Sequence, residues 1–157
     1  REIGAMKAGK WLVVALVAGL AACQSLPEPS GAEKARAVAE ADWARATAVK
    51  IDLRDAGFTP QQLNLVAGRP YRLTLTNVGV NNHYFNAPEF FASIATRRAE
   101  VPRQAEVYLS RIDRVEVFAA GGAVDLWFVP LAKGRFRAHC HLGNHAEMGV
   151  EGLIVVE

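Results

Sequence analysis

From residue 49 onward, apolar and polar positions alternate in short runs. The runs are Val49, Ile51, Leu53; Leu63, Leu65, Ala67; Tyr71, Leu73, Leu75; Val115, Val117; Val124, Leu126, Phe128; Phe136, Ala138, Cys140; and a closing apolar stretch, Leu153 to Val156. A period of two sends successive side chains to opposite faces, which is the pattern of half-buried strands. Turn chemistry separates the runs at Thr59-Pro60, Gly68-Arg69-Pro70, Gly121-Gly122 and Lys133-Gly134. Short strands at this spacing predict an all-β, Greek-key β-sandwich. The alternation lapses between 86 and 114, where Asn86 is placed to cap a helix with Pro88 in its first turn and Phe90, Phe91 and Ile94 on one side. This stretch is expected to be a partly helical insertion between strands.

Ahead of the strands, residues 24 to 31 have the composition of a tether. The Ala-, Glu-, Lys- and Arg-rich stretch from Ala32 to about Val49 predicts a short N-terminal helix, with Trp43 as its anchor onto the sandwich. Further upstream lie Lys7 and Lys10, then an apolar run from Trp11 to Leu20 that is too short to span a bilayer, then small residues ending at Cys23. Leu20-Ala21-Ala22-Cys23 resembles the lipobox of bacterial lipoproteins, which implies cleavage before Cys23 and a lipid on its sulfur. Gln24 in the next position, where an aspartate would favour the inner membrane, leans the resemblance toward the outer membrane. The expected organisation is therefore a signal peptide over 1–22 with an upstream extension at 1–5, a lipidated tether and helix over 23–48, and one domain over 49–157.

The formal charge of +2 carries little meaning, because Arg1, Lys7 and Lys10 among the 18 basic residues, and Glu2 among the 16 acidic ones, precede Cys23. The remainder is balanced. It lacks the concentrated basic footprint that nucleic-acid binding needs. Only two cysteines exist, and with Cys23 lipidated Cys140 has no disulfide partner. A lone thiol on the oxidising side of a membrane calls for burial or a metal.

All four histidines fall in two places: His83, and the run His139-Cys140-His141-Leu142-Gly143-Asn144-His145. Two imidazoles and a thiolate in a trigonal frame, with at most a weak axial donor, suit copper in both oxidation states. At this point a family resemblance becomes specific. Ile51 to Asn77, followed by Gly79, Asn82 and His83, looks like the opening strands of azurin-like and plastocyanin-like cupredoxins. Cys140, four residues, His145, a short loop, then Glu151-Gly152 and an apolar strand resembles their ligand loop. The resemblance covers residues 49 to 157 and implies one type 1 copper ion with His83, Cys140 and His145 as equatorial ligands. Two departures stand out. An asparagine often follows the first histidine, and here Tyr84 stands there, leaving backbone amides to steady the cysteine sulfur. The axial slot of azurin-like loops, two residues before the glycine that opens the last strand, holds Val150. Met148 sits two residues earlier, yet amicyanin-like loops have similar spacing, so either Met148 is the axial ligand or Val150 leaves the position without a donor.

His-Cys-His followed by a further histidine also resembles multicopper oxidases, whose trinuclear cluster needs several His-x-His pairs. Four histidines with one such pair exclude that oxidase in this chain. Strand parity sets Arg135, Arg137, His139 and His141 on the face opposite Phe136, Ala138 and Cys140. His139 and His141 are then either two exposed histidines on a sheet edge or part of an interfacial second metal site in an oligomer, as in copper nitrite reductases. There is no glycine-rich phosphate loop, zinc Cys-x-x-Cys pair or His-Glu-x-x-His helix, and nothing supplies an oxyanion hole for a Cys-His nucleophile. The expected function is a non-enzymatic, one-electron carrier on the periplasmic side of a bacterial membrane. Its redox partners would dock near His145 on an apolar patch formed by Leu142, Gly143, Ala146 and Met148. The alternative is a copper-binding protein for buffering, delivery or resistance.

Overall fold

The computed structural model describes residues 28–102 and 112–157, together with the backbone of 105–107. The predicted signal peptide and Cys23, the residue expected to carry a lipid, lie outside the described residues. No helix among the described residues is long and apolar enough to cross a membrane.

Helix α1 (Gly31–Glu40) opens on a capping box, with Ser30 accepting from the Glu33 amide and the Glu33 carboxylate accepting from the Ser30 amide. It ends at Ala41, which takes an extended backbone, so it is shorter than the composition suggests. The residues from Thr47 to Val49 are claimed instead by the first strand. Trp43 does anchor this segment. Its indole donates to the Val38 carbonyl at 3.0 Å, its ring meets Trp127 edge-on at 6.4 Å, and the Arg97 guanidinium lies 5.0 Å above it.

Among the described residues eleven strands follow: β1 (Thr47–Arg54), β2 (Gly57–Thr59), β3 (Gln62–Leu65), β4 (Tyr71–Asn77), β5 (His83–Asn86), β6 (Ile94–Val101), β7 (Ala105–Val107), β8 (Arg114–Val117), β9 (Ala123–Pro130), β10 (Gly134–His139) and β11 (Glu151–Val156). They form two sheets, ordered β2-β1-β4-β9-β6-β7 and β3-β11-β10-β5-β8. Most neighbours are antiparallel, but β1 runs parallel to β4, and β11 parallel to β3. The architecture is the all-β sandwich that the alternation predicts.

The inward faces carry the apolar residues of that alternation. Ile51, Leu53, Leu73, Leu75, Leu126 and Phe128 from one sheet meet Leu63, Leu65, Phe85, Phe136, Ile154 and Val156 from the other. The insertion is less helical than expected. Helix α2 (Pro88–Ala92) has five residues, and Ile94 to Val101 then pair with β9 as a strand. Asn86 is not the cap. Ala87 holds that position without a side-chain bond, because Asn86 belongs to β5 and its amide turns to His139. Phe90 and Phe91 do point inward, where Phe90 packs on Phe128 at 5.5 Å and on Phe136 at 5.8 Å. The short helix thus plugs the space between the sheets with aromatic rings.

Candidate metal centre

His83 opens β5 and is held by pairing with Val117 of β8. Cys140 stands one residue past β10, and His145 lies in the connection that leads into β11. The connection is pinned by its own backbone: the Cys140 amide donates to the Val150 carbonyl at 2.9 Å, the Val150 amide to His145 at 3.0 Å, and the His145 amide to Leu142 at 3.1 Å. These bonds point the thiol and the second imidazole at the same space as His83. One donor atom from each of His83, Cys140 and His145 lies within 4.8 Å of the others, and Cys140 Sγ is 3.5 Å from His145 Nδ1.

Cys140 and His83 are fully buried, and His145 is half-buried. A buried Nδ1 of His83 has no hydrogen-bond partner, an arrangement that ordinarily costs free energy unless a ligand takes the lone pair. Soft sulfur beside two imidazoles is a donor set suited to copper. The cluster therefore fits one type 1 copper ion. Around the sulfur, the Tyr84 amide donates to Cys140 Sγ at 3.4 Å, which is the backbone role expected once an asparagine is absent.

Three further residues build the histidine side of the centre. Asp55, in the turn after β1, places Oδ1 3.1 Å from His83 Nε2. The same carboxylate accepts from the Val80 amide at 3.0 Å, the Asn81 amide at 3.2 Å and the Asn81 side chain at 3.0 Å. The Val80 amide above all, then the Asn81 side chain, hold the Asp55 carboxyl well below the usual carboxylate range. Asn77, fully buried at the end of β4, donates to the Asn81 and Val117 carbonyls, each at 2.8 Å, and accepts from the Gly79 amide at 2.9 Å. Gly79 lies against the pair it covers: a Cβ there would come 2.8 Å from Asp55 Oδ1 and 3.0 Å from His83 Nε2. Sequence patterning had a signal for two of these. Asp55 continues the inward parity of Ile51 and Leu53, and Asn77 that of Leu73 and Leu75, so each is a polar residue where an apolar one is due.

The remaining candidates lie around the rim. Met148 is 61% exposed, whereas Val150 is fully buried in the core cluster. His139 is not on a sheet edge, because β10 runs between β11 and β5 in the middle of its sheet. It is half-buried, with Nε2 3.0 Å from the Asn86 amide. Burial, and then the Arg137 cation, push its pKa below 6.5. His141 is exposed, and its ring lies 4.2 Å from that of Tyr84. The Tyr84 hydroxyl is bonded to the Glu116 carboxylate, which raises its pKa. The described residues bring together no metal cluster besides His83, Cys140 and His145.

A family model described as "Cupredoxin-like domain" matches residues 12–156. The chain belongs to that family. Among curated proteins no sequence match is found. Solved structures similar to this cupredoxin include the copper-containing nitrite reductase of Thermus scotoductus, at 14% identity and a TM-score of 0.55, over 71% of this chain and 31% of that one. A multi-copper oxidase of Pseudomonas thermotolerans aligns at 14% identity and a TM-score of 0.55, covering 75% of this chain and 31% of its own. The copper nitrite reductase of Nitrosomonas europaea gives 17% identity and a TM-score of 0.52, with 78% and 52% covered. The chain thus spans about a third to a half of these structures, and the likeness is one of fold.

Proposed function

We propose that this cupredoxin carries single electrons between redox partners, with His83, Cys140 and His145 holding one copper ion. The observation that carries the proposal is a donor set already assembled and buried, in which two of the three ligands have no solvent exposure. Bound copper would supply a one-electron couple between Cu(II) and Cu(I). The protein's part is to keep the donors fixed and dry, so that little has to move when the charge changes. In this reading Val150, buried where azurin-like loops carry a methionine, would leave the axial position to hydrocarbon, while Met148 faces solvent.

His145 is the ligand nearest the surface. Around it Leu142 and Met148 expose apolar side chains, an uncharged contact through which a partner could approach the imidazole. The same burial disfavours the buffering or delivery alternative, which requires ligands that exchange readily. Four histidines with one His-x-His pair do not supply a trinuclear oxygen-reducing cluster in this chain, which supports a carrier over an oxidase. In this proposal Cys23 carries a lipid, and the domain works on the periplasmic side of a bacterial membrane, at the outer membrane by preference.

Adding Cu(II) to the purified metal-free protein and recording its visible spectrum tests the centre. Intense thiolate-to-copper charge-transfer absorption at one copper per chain is expected. One-to-one binding with only weak ligand-field bands would overturn the carrier and favour copper storage. For the anchor, Cys23→Ala should yield an unlipidated protein that leaves the membrane fraction, and unchanged membrane attachment would remove the anchor from the proposal.

A further inference from the structure

Asp55 is joined to His83 by more than proximity. An ionised carboxylate only accepts hydrogen bonds, so a contact of 3.1 Å from Oδ1 to His83 Nε2 requires the proton to sit on Nε2. A neutral imidazole has one proton, and Nδ1 is then left with its lone pair. That nitrogen is the buried atom without a partner. The carboxylate itself cannot drift, because the Val80 amide, the Asn81 amide and the Asn81 side chain fix both oxygens. Gly79 lies over the contact with no room for a side chain.

We propose that Asp55 is a positioning residue for the metal: it locks His83 in the tautomer that presents Nδ1, and its negative charge favours Cu(II) over Cu(I). The inference rests on His83 as a ligand. The charge opposes the other determinants of the centre, since a hydrocarbon axial position and the Tyr84 amide bond to Cys140 both favour the reduced state. The charge acts on the metal across a single imidazole ring, although the carboxylate is 40% exposed. A single charge at that range in a partly solvated setting is worth about tenfold in an equilibrium constant.

The test uses the full chain as wild type, Asp55→Ala, Asp55→Asn and Gly79→Ala. In the metal-free proteins, nitrogen-15 NMR of His83 reads the tautomer directly. Wild type and Asp55→Asn, which keeps an acceptor oxygen, should be protonated at Nε2, and Asp55→Ala should show a mixture. In the copper-loaded proteins, Asp55→Ala and Asp55→Asn both remove the charge, so each should shift the Cu(I)-to-Cu(II) ratio at fixed potential toward Cu(I) by about tenfold. Gly79→Ala leaves the charge in place and forces the pair apart, so it should move the tautomer more than the potential. Should Asp55→Ala not fold, Asp55→Asn and Gly79→Ala carry both measurements. A potential unmoved in Asp55→Asn, with the tautomer unmoved in Gly79→Ala, would overturn the role of Asp55. A wild-type protein without the charge-transfer band would instead overturn the ligand assignment.

Discussion

The two halves of the metal centre are made in different ways. Cys140 and His145 come from one connection, and the bonds that shape it, Cys140 to Val150, Val150 to His145 and Met148 to Asn144, all close within residues 140–150. His83 depends on residues from elsewhere: Asp55 is 28 positions away, and Asn77 reaches a carbonyl 40 positions away at Val117. A local loop can be specified by spacing. A ligand seated by strand order needs the whole sandwich in register, so the histidine half is where stability and the chemistry of the centre meet.

The largest expected effect lies in the loop half. Cys140→Ser replaces the thiolate with a hydroxyl that is a poor partner for copper, and the intense visible band should be lost entirely in a copper titration. Survival of that band would break the comparison at its root. In the strand half, Asn77→Ala leaves the buried Val117 carbonyl, the part-buried Asn81 carbonyl and the Gly79 amide without their partner. Each orphaned group costs about 1–3 kcal/mol, so denaturant unfolding should show a loss of about 3 kcal/mol, with the band weakened rather than abolished. A loss below about 1 kcal/mol would mean that the histidine half does not depend on this scaffold.

Back in the loop, Val150→Met adds a thioether where a buried methyl now stands. It should favour Cu(II) by about tenfold, read as a lower reduction potential, together with about 1–2 kcal/mol of overpacking. Met148→Leu should change the potential little. The reverse result would place Met148 at the axial position. The smallest effect concerns pH. The pKa of His139 is depressed below 6.5 in the folded protein, so the unfolded chain takes up the proton first. Stability is in full force above pH 6.5 and falls as pH drops from there toward the depressed folded value. His139→Gln should flatten that part of the stability profile, measured on the metal-free protein.

How much of this was legible in sequence follows the same division. The alternation of Tyr71, Leu73 and Leu75, and the spacing from Cys140 to His145, are local patterns, and both survive into β4 and the ligand loop. Strand β6 was not visible, because a register shift between Thr96 and Arg98 breaks its period and two consecutive arginines, Arg97 and Arg98, stand in its middle. Asn86 has the chemistry of a helix cap, but a cross-strand imidazole outcompeted the helix for its amide. Asp55 sits in an ordinary Asp-x-Gly turn until β1 and β4 are paired in parallel, which brings the turn beside the loop before β5. Its importance is a product of topology, and spacing alone does not encode it.

The complete burial of Cys140 has a consequence for chemical ageing. Oxidation to sulfenic and sulfinic acids needs a thiolate that peroxide can reach, and at 0% exposure this sulfur offers none in the closed sandwich. The rate of damage is then the reactivity of the thiol scaled down by the fraction of time that the hairpin of β10 and β11 stands open. Every interaction that keeps the hairpin shut, down to the pairing of Ala138 with Gly152, therefore also acts as an antioxidant.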